Sequence, residues 1–147
     1  ISRSSAQALT GAAGELIDNI GQHAGTRCEA LAAFDISPGN LWLAVGDSGV
    51  GALATYSAMP EVQSARQALE VAVVEHRSST GDPARGLGFR QVLGALRSMD
   101  AALRVRSGDA SLEIEGIGGS GNWVSREQQQ LCGFVVSAHV RWGAQRS

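Results

Sequence analysis

The sequence predicts an α+β domain in which helices cover one face of a mainly antiparallel sheet. Three observations carry this expectation. Long stretches show helical periodicity with a single apolar stripe, short β-type runs are paired across tight Pro-Gly and Gly-Asp turns, and the helical stretches fall between the strand pairs. At 147 residues the chain has the size of one domain with one sizeable core, and a hydrophobic content of 44% argues for a folded globule.

Taken in order, residues 5–24 form the first helix, with Leu9, Ala12, Ala13, Leu16, Ile17 and Ile20 on one side and Gly25 just past its end. "EALAAFDI" and "LWLAVGD" are apolar runs separated by "SPGN", which reads as an antiparallel pair around a Pro-Gly turn. "GDSGVG" breaks the pattern with three glycines in six residues. After Pro60, "EVQSARQALEVAVVEHR" is helical again and aligns Val62, Ala65, Leu69, Ala72 and Val73. "SSTGDPARGLG" is a polar, glycine-containing loop, and "FRQVLGALRSM" a third helix that buries Val92, Leu93 and Leu96. "AALRVRS" and "ASLEIEG" alternate as two strands around a Gly-Asp turn. "IGGSGNWVSREQQQ" is expected to be a long exposed hairpin loop, and "CGFVVSAHVRW" the closing strand. Residues 1–147 are expected to be one domain, and a first residue of Ile1 rather than Met suggests a processed or excised piece of a longer protein.

Composition removes several function classes. A net charge of −2 offers no basic field to nucleic acid or to an anionic membrane. All twelve cationic residues are arginine, which excludes a P-loop lysine and a Schiff-base lysine. Cys28 and Cys132 fit no metal spacing and are expected to be free, buried thiols in a reducing compartment. No run of about 18 apolar residues is present to span a membrane. "GLGF" follows a polar loop rather than a strand, so a dinucleotide fingerprint is a poor reading.

Within the first helix Glu15, Asn19 and His23 recur every fourth residue and therefore share a ridge. Asp47 ends a strand, and Gly49 and Gly51 flank Val50 where a flat ligand needs close backbone approach. Gly86 and Gly88 lie at the junction of a loop and a helix N-terminus, where backbone N–H groups suit an anion. Alone, the Glu15–Asn19 pair would be a solvated helix face and "GDSGVG" a plain turn. In this order they describe a nucleotide site built without a P-loop.

This ordered set resembles the GHKL superfamily of gyrase-type ATPases, heat-shock chaperone ATPases, histidine kinases and MutL proteins. "ELIDNIGQHA" is similar to the family's N box, "GDSGVG" to its first glycine box and "GDPARGLGF" to the second, within the ATP lid. The resemblance spans about residue 5 to residue 142 and implies the Bergerat ATP-binding fold, a two-layer sandwich with a mixed, mainly antiparallel sheet. It implies that Asn19 holds Mg²⁺, that Asp47 accepts the adenine amine, and that Gly49, Val50 and Gly51 lie against the base. By the same resemblance Arg85, Gly86, Leu87, Gly88 and Phe89 form the phosphate side, with His23 as a further contact, Ser111 near adenine, and Glu15 as general base. The helix before the second glycine box lacks the Phe-containing element usual in histidine kinases, and the short lid fits standalone regulatory kinases better than chaperones or gyrases.

The expected function is therefore that of a cytoplasmic Mg-ATP-binding catalytic domain of a bacterial-type signalling kinase, in two-component or anti-sigma style. It would transfer phosphoryl to a His or Ser of a partner or of a missing domain, and leaves room for a homodimer. Two alternatives stay open: an ATP-hydrolysing conformational switch, and a nucleotide-sensing interaction module without catalysis.

Overall fold

Ala101, Leu103, Val105 and Ser107 are buried while Ala102, Arg104 and Arg106 between them are half-buried. A period of two at this length makes a strand with one core face. The same phase recurs at Val136, Ala138 and Val140, and cross-strand pairing of these rows forms the centre of the molecule. The computed structural model describes residues 2–23, 28–77, 79, 87–119 and 121–143, with the backbone alone at 19–23 and 87–88.

Four strands form one sheet in the order β1-β2-β4-β3: β1 (Ala30–Ser37), β2 (Asn40–Asp47), β3 (Asp100–Glu115) and β4 (Val124–Arg141). Every pairing among the described residues is antiparallel, so the expected parallel component of a mixed sheet does not appear there. Two further expectations are corrected. The Gly108-Asp109 turn does not reverse the chain; β3 runs through it for 16 residues, with register shifts around Gly108. Val124–Gln130, expected in an exposed loop, belongs to the 18-residue β4. The reason is shared: β4 offers pairing groups on both sides of Gly108, and its four surplus residues between Phe134 and Glu127 are absorbed as register shifts instead of a hairpin.

Helices α1 (Arg3–His23), α2 (Gly51–Thr55), α3 (Ala65–Leu69) and α4 (Leu87–Leu96) complete the core. The anticipated helix after Pro60 starts later. The Ser64 hydroxyl accepts the Gln67 N–H at 3.2 Å, while Gln67 Oε1 accepts the Gln63 N–H at 2.8 Å, and this reciprocal cap sets the start at Ala65. The helix then widens into a π-helical turn over Glu70–Val74. All five stripe residues from Val62 to Val73 are nonetheless buried. In α4, Val92, Leu93 and Leu96 are buried as expected; in α1 the buried set among the described side chains is Leu9, Ala12 and Leu16, whereas Ala13 is half-buried, Ile17 is 48% exposed and the Ile20 side chain lies outside them. Leu9, Ala12 and Leu16 recur at helical spacing on one side, and Ile17 lies a further 100° round the axis.

The other face of the sheet carries Trp42 and His139, in the opposite phase to Val45 and Val140. There Trp42 stacks on its cross-strand partner His139, with ring centroids 3.6 Å apart, and His139 Nε2 lies 2.9 Å from Asn40 Oδ1. Both cysteines are free, but Cys28 is half-buried and Cys132 exposed, so neither is the fully buried thiol expected. Among the described residues no helix is long and apolar enough to cross a membrane.

Candidate functional site

Strand β2 ends at Asp47, which pairs with Phe134 of β4; Phe134 in turn pairs with Ser107 of β3. These three residues therefore form one row across three strands. The row sits in the same phase as Val45, Val136 and Val105, on the helix-covered face.

The chain leaves the sheet from Asp47 through a turn stabilised by that residue itself. Asp47 Oδ1 accepts the Gly49 N–H at 2.7 Å, the local bond that makes Asp common in such turns. Its second carboxylate oxygen, Oδ2, has no hydrogen-bond partner among the described residues. One oxygen shapes the loop and the other remains able to accept a donor from outside.

Two glycines let the backbones close around this corner. Gly51 has φ 78°, and a side chain there would meet Ser107 Oγ at 2.8 Å and Gly133 O at 3.1 Å. Gly133 has φ 83°, and its Cβ would run into the Asp47 carbonyl oxygen. Both conformations are strained for any other residue, and both positions lack room for a Cβ. Ser107 ties the segments together: its hydroxyl accepts the Ala52 N–H at 2.8 Å and donates to Gly133 O at 2.7 Å. With 1% of its surface exposed, Ser107 has both roles of its hydroxyl used within the fold.

The second glycine motif reaches the same corner through Phe89. Near the start of α4, its ring meets Phe134 edge-on, with centroids 5.8 Å apart and planes inclined by 61°. Asp47, Gly51 and Phe89 are thus linked through Ser107, Phe134 and Gly133, although they come from distant parts of the sequence; Val50, between Gly49 and Gly51, is exposed.

Other expected site residues stand as follows. Glu15 is half-buried on α1, one residue before the buried Leu16. Asn19 and His23 lie on the last turns of α1, and Leu87 and Gly88 open α4, but the side chains of these positions are outside the described residues. Arg85 and Gly86 lie outside them altogether. Ser111, expected near a base, is fully buried opposite Arg126, beyond the bulge and four residues along β3 from the Asp47 row. At about 3.3 Å per residue that is roughly 13 Å of strand.

Sequence reading missed Ser107 and Gly133. A signal for Ser107 was present, since the alternation of "AALRVRS" puts this serine in phase with the core residues. A polar group on a buried strand face needs partners, and here it has two.

A separate cavity of about 220 Å³ lies between α1, α4 and the sheet, walled by residues such as Leu9, Leu16, Leu43, Val92 and Val140. Glu15, Asp47, Gly49, Val50, Gly51, Phe89 and Ser111 do not line it. Among the described residues no three His, Cys, Asp or Glu side chains gather as a metal cage. A Mg²⁺ ion entering with nucleotide phosphates needs only one or two protein oxygens, so the chemistry of a lone Asn19 amide still fits such an ion. No protein-family model matches the chain, and no curated protein matches it.

Proposed function

We propose that the chain is an adenine-nucleotide-binding domain of the GHKL type, in the Bergerat arrangement, acting as the Mg-ATP-binding part of a cytoplasmic signalling kinase. One observation carries this reading: the Asp47–Gly51 loop and the start of α4, two motifs about 40 residues apart in the chain, meet at one sheet corner through Phe134. A purine edge needs a fixed acceptor beside a flat surface, and Asp47 Oδ2 is an acceptor whose carboxylate is already held by its bond to Gly49. Ser107, in the Asp47 row, is the serine that supports this corner from within the fold.

In the proposed mechanism Asn19 would hold Mg²⁺ through its amide oxygen, and the ion would supply charge neutralisation on the phosphates of ATP. Glu15 accepts the proton from the acceptor's hydroxyl or imidazole. The bond between the γ-phosphorus and the β–γ bridging oxygen breaks as the acceptor bonds to phosphorus, and ADP leaves with that oxygen. Positioning and charge neutralisation supply most of the acceleration in such transfers.

Calorimetry of the full chain with Mg-ATP, Mg-ADP and Mg-GTP tests the reading. The wild type is expected to prefer adenine. Asp47→Ala is expected to weaken ATP at least about tenfold, the cost of losing one charge-assisted hydrogen bond, and to erase the preference over GTP. Absence of ATP binding by the wild type, or an unchanged preference in Asp47→Ala, would reject it.

A further inference from the structure

We infer that the outer edge of β1 is a self-complementary pairing surface, through which two copies of this chain join their sheets into one eight-stranded sheet. The inference does not rest on the nucleotide reading. It begins with exposure: all eight residues of β1 are exposed, including Leu31 at 73%, Phe34 at 75% and Ile36 at 65%. A long apolar edge with neither proline nor bulge is the kind of surface that folded proteins protect or use. Asp35 is the only ionisable residue on β1.

The hydrogen-bond phase of the strand defines which groups are free. Ser37 and Asn40 flank the two-residue Pro38-Gly39 turn, and further along the hairpin the Ser48 N–H donates to Glu29 O at 3.0 Å. Odd-numbered residues of β1 therefore turn their backbone groups towards β2, and Ala30, Ala32, Phe34 and Ile36 turn theirs outward. Each copy presents two groups from each of these four residues.

A two-fold axis beside Ala33 satisfies all of them. It pairs Phe34 with Ala32 and Ile36 with Ala30 of the second copy, and the reciprocal pairs follow by symmetry. Moving the axis to Ala32 or Phe34 takes one of the outer pairs beyond the strand. The side chains agree with this register. Phe34 and Ile36 each face an alanine, the small Ala33 side chains meet at the axis, and Asp35 faces the third large residue, Leu31, instead of its own copy. The two Asp35 residues are then four strand positions apart, about 13 Å, beyond one screening length at physiological salt. An extended peptide from another protein would share the hydrogen bonds but not this reciprocal match of Phe34 and Ile36 against alanines.

A strand pair of this length buries less than the roughly 1,200 Å² of a stable standard interface, so the dimer is expected to dissociate on dilution. Sedimentation of the full chain at about 1 to 500 µM, the range in which such weak association is read, is expected to show reversible dimerisation. Ala32→Pro removes an outward N–H that the monomer's sheet does not use and is expected to weaken the dimer at least tenfold, with the far-ultraviolet spectrum unchanged. In a Cys28→Ala, Cys132→Ala background, Ala33→Cys is expected to form a disulfide dimer on mild oxidation. Facing non-hydrogen-bonded residues have Cα atoms about 4.5 Å apart, within disulfide reach. Ser37→Cys in the same background, four positions from the axis, is expected to stay uncrosslinked. A wild type that remains monomeric throughout, or a dimer that crosslinks at Ser37→Cys and not at Ala33→Cys, overturns the inference, whether or not Ala32→Pro folds.

Discussion

Strands β3 and β1 occupy opposite edges of one sheet and differ in almost every respect. β3 alternates buried Leu103 and Val105 with half-buried Arg104 and Arg106, and helices cover its core face. β1 has apolar residues on both faces and buries none of them. In β3 hydrophobic burial and hydrogen bonding act together. In β1 the hairpin pairing with β2 supplies the order, and the apolar side chains stay largely exposed, although Phe34 also borders the cavity beside α1. The comparison teaches that apolar content alone does not identify core; what lies over the strand decides.

The largest test of this contrast is a pair of truncations. Leu103→Ala, at a side chain only 2% exposed, is expected to cost between about 2 and 5 kcal/mol. Phe34→Ala is expected to change monomer stability by no more than about 0.5 kcal/mol, as for other exposed positions. Urea unfolding at low protein concentration measures both, and equal losses would break the distinction between the edges. A second test sharpens it at the corner where β2 and β4 end. Gly133→Ala places a Cβ against the Asp47 carbonyl at φ 83° and is expected to destabilise by about 3 kcal/mol. An undisturbed unfolding midpoint would mean that this corner is as permissive as β1.

The smallest expected effect concerns pH. Burial lowers the pKa of His76 below its ordinary value, and the charges of Arg90 and Arg97 add to the shift. The folded state therefore resists the imidazolium, and its contribution to stability is complete above the unfolded pKa of about 6.5. As pH falls below that value the unfolded chain takes the proton first and stability declines, until the lower folded pKa is passed. His76 has φ 55°, a setting that asparagine tolerates. His76→Asn is expected to flatten the decline between pH 7.5 and pH 5.5 in urea midpoints, and an unaltered decline would remove His76 as its source.

Much of this architecture was legible because it follows from local periodicity. The stripe Val62, Ala65, Leu69, Ala72 and Val73 is buried as read, even though a cap at Ser64 and a π-helical turn interrupt the expected helix. Asp47, Gly49 and Gly51 stood out as an acid followed by glycines at the end of a strand. Gly108-Asp109 misled, because the residues that form a turn also tolerate a bulge, and only the length of β4 chooses between them. Ser107 was overlooked because register, not spacing, selects the serine that shares a row with Asp47.

By itself the sequence determined the α+β class, the apolar faces of the helices and the placement of glycines after Asp47. These depend on side-chain period and backbone freedom, which act over a few residues. The tertiary structure alone decided that β3 continues through its glycine, that Phe89 meets the Asp47 row, and that β1 keeps an uncovered edge. Those outcomes depend on which distant segment supplies the facing atoms, and neighbouring residues carry no information about that.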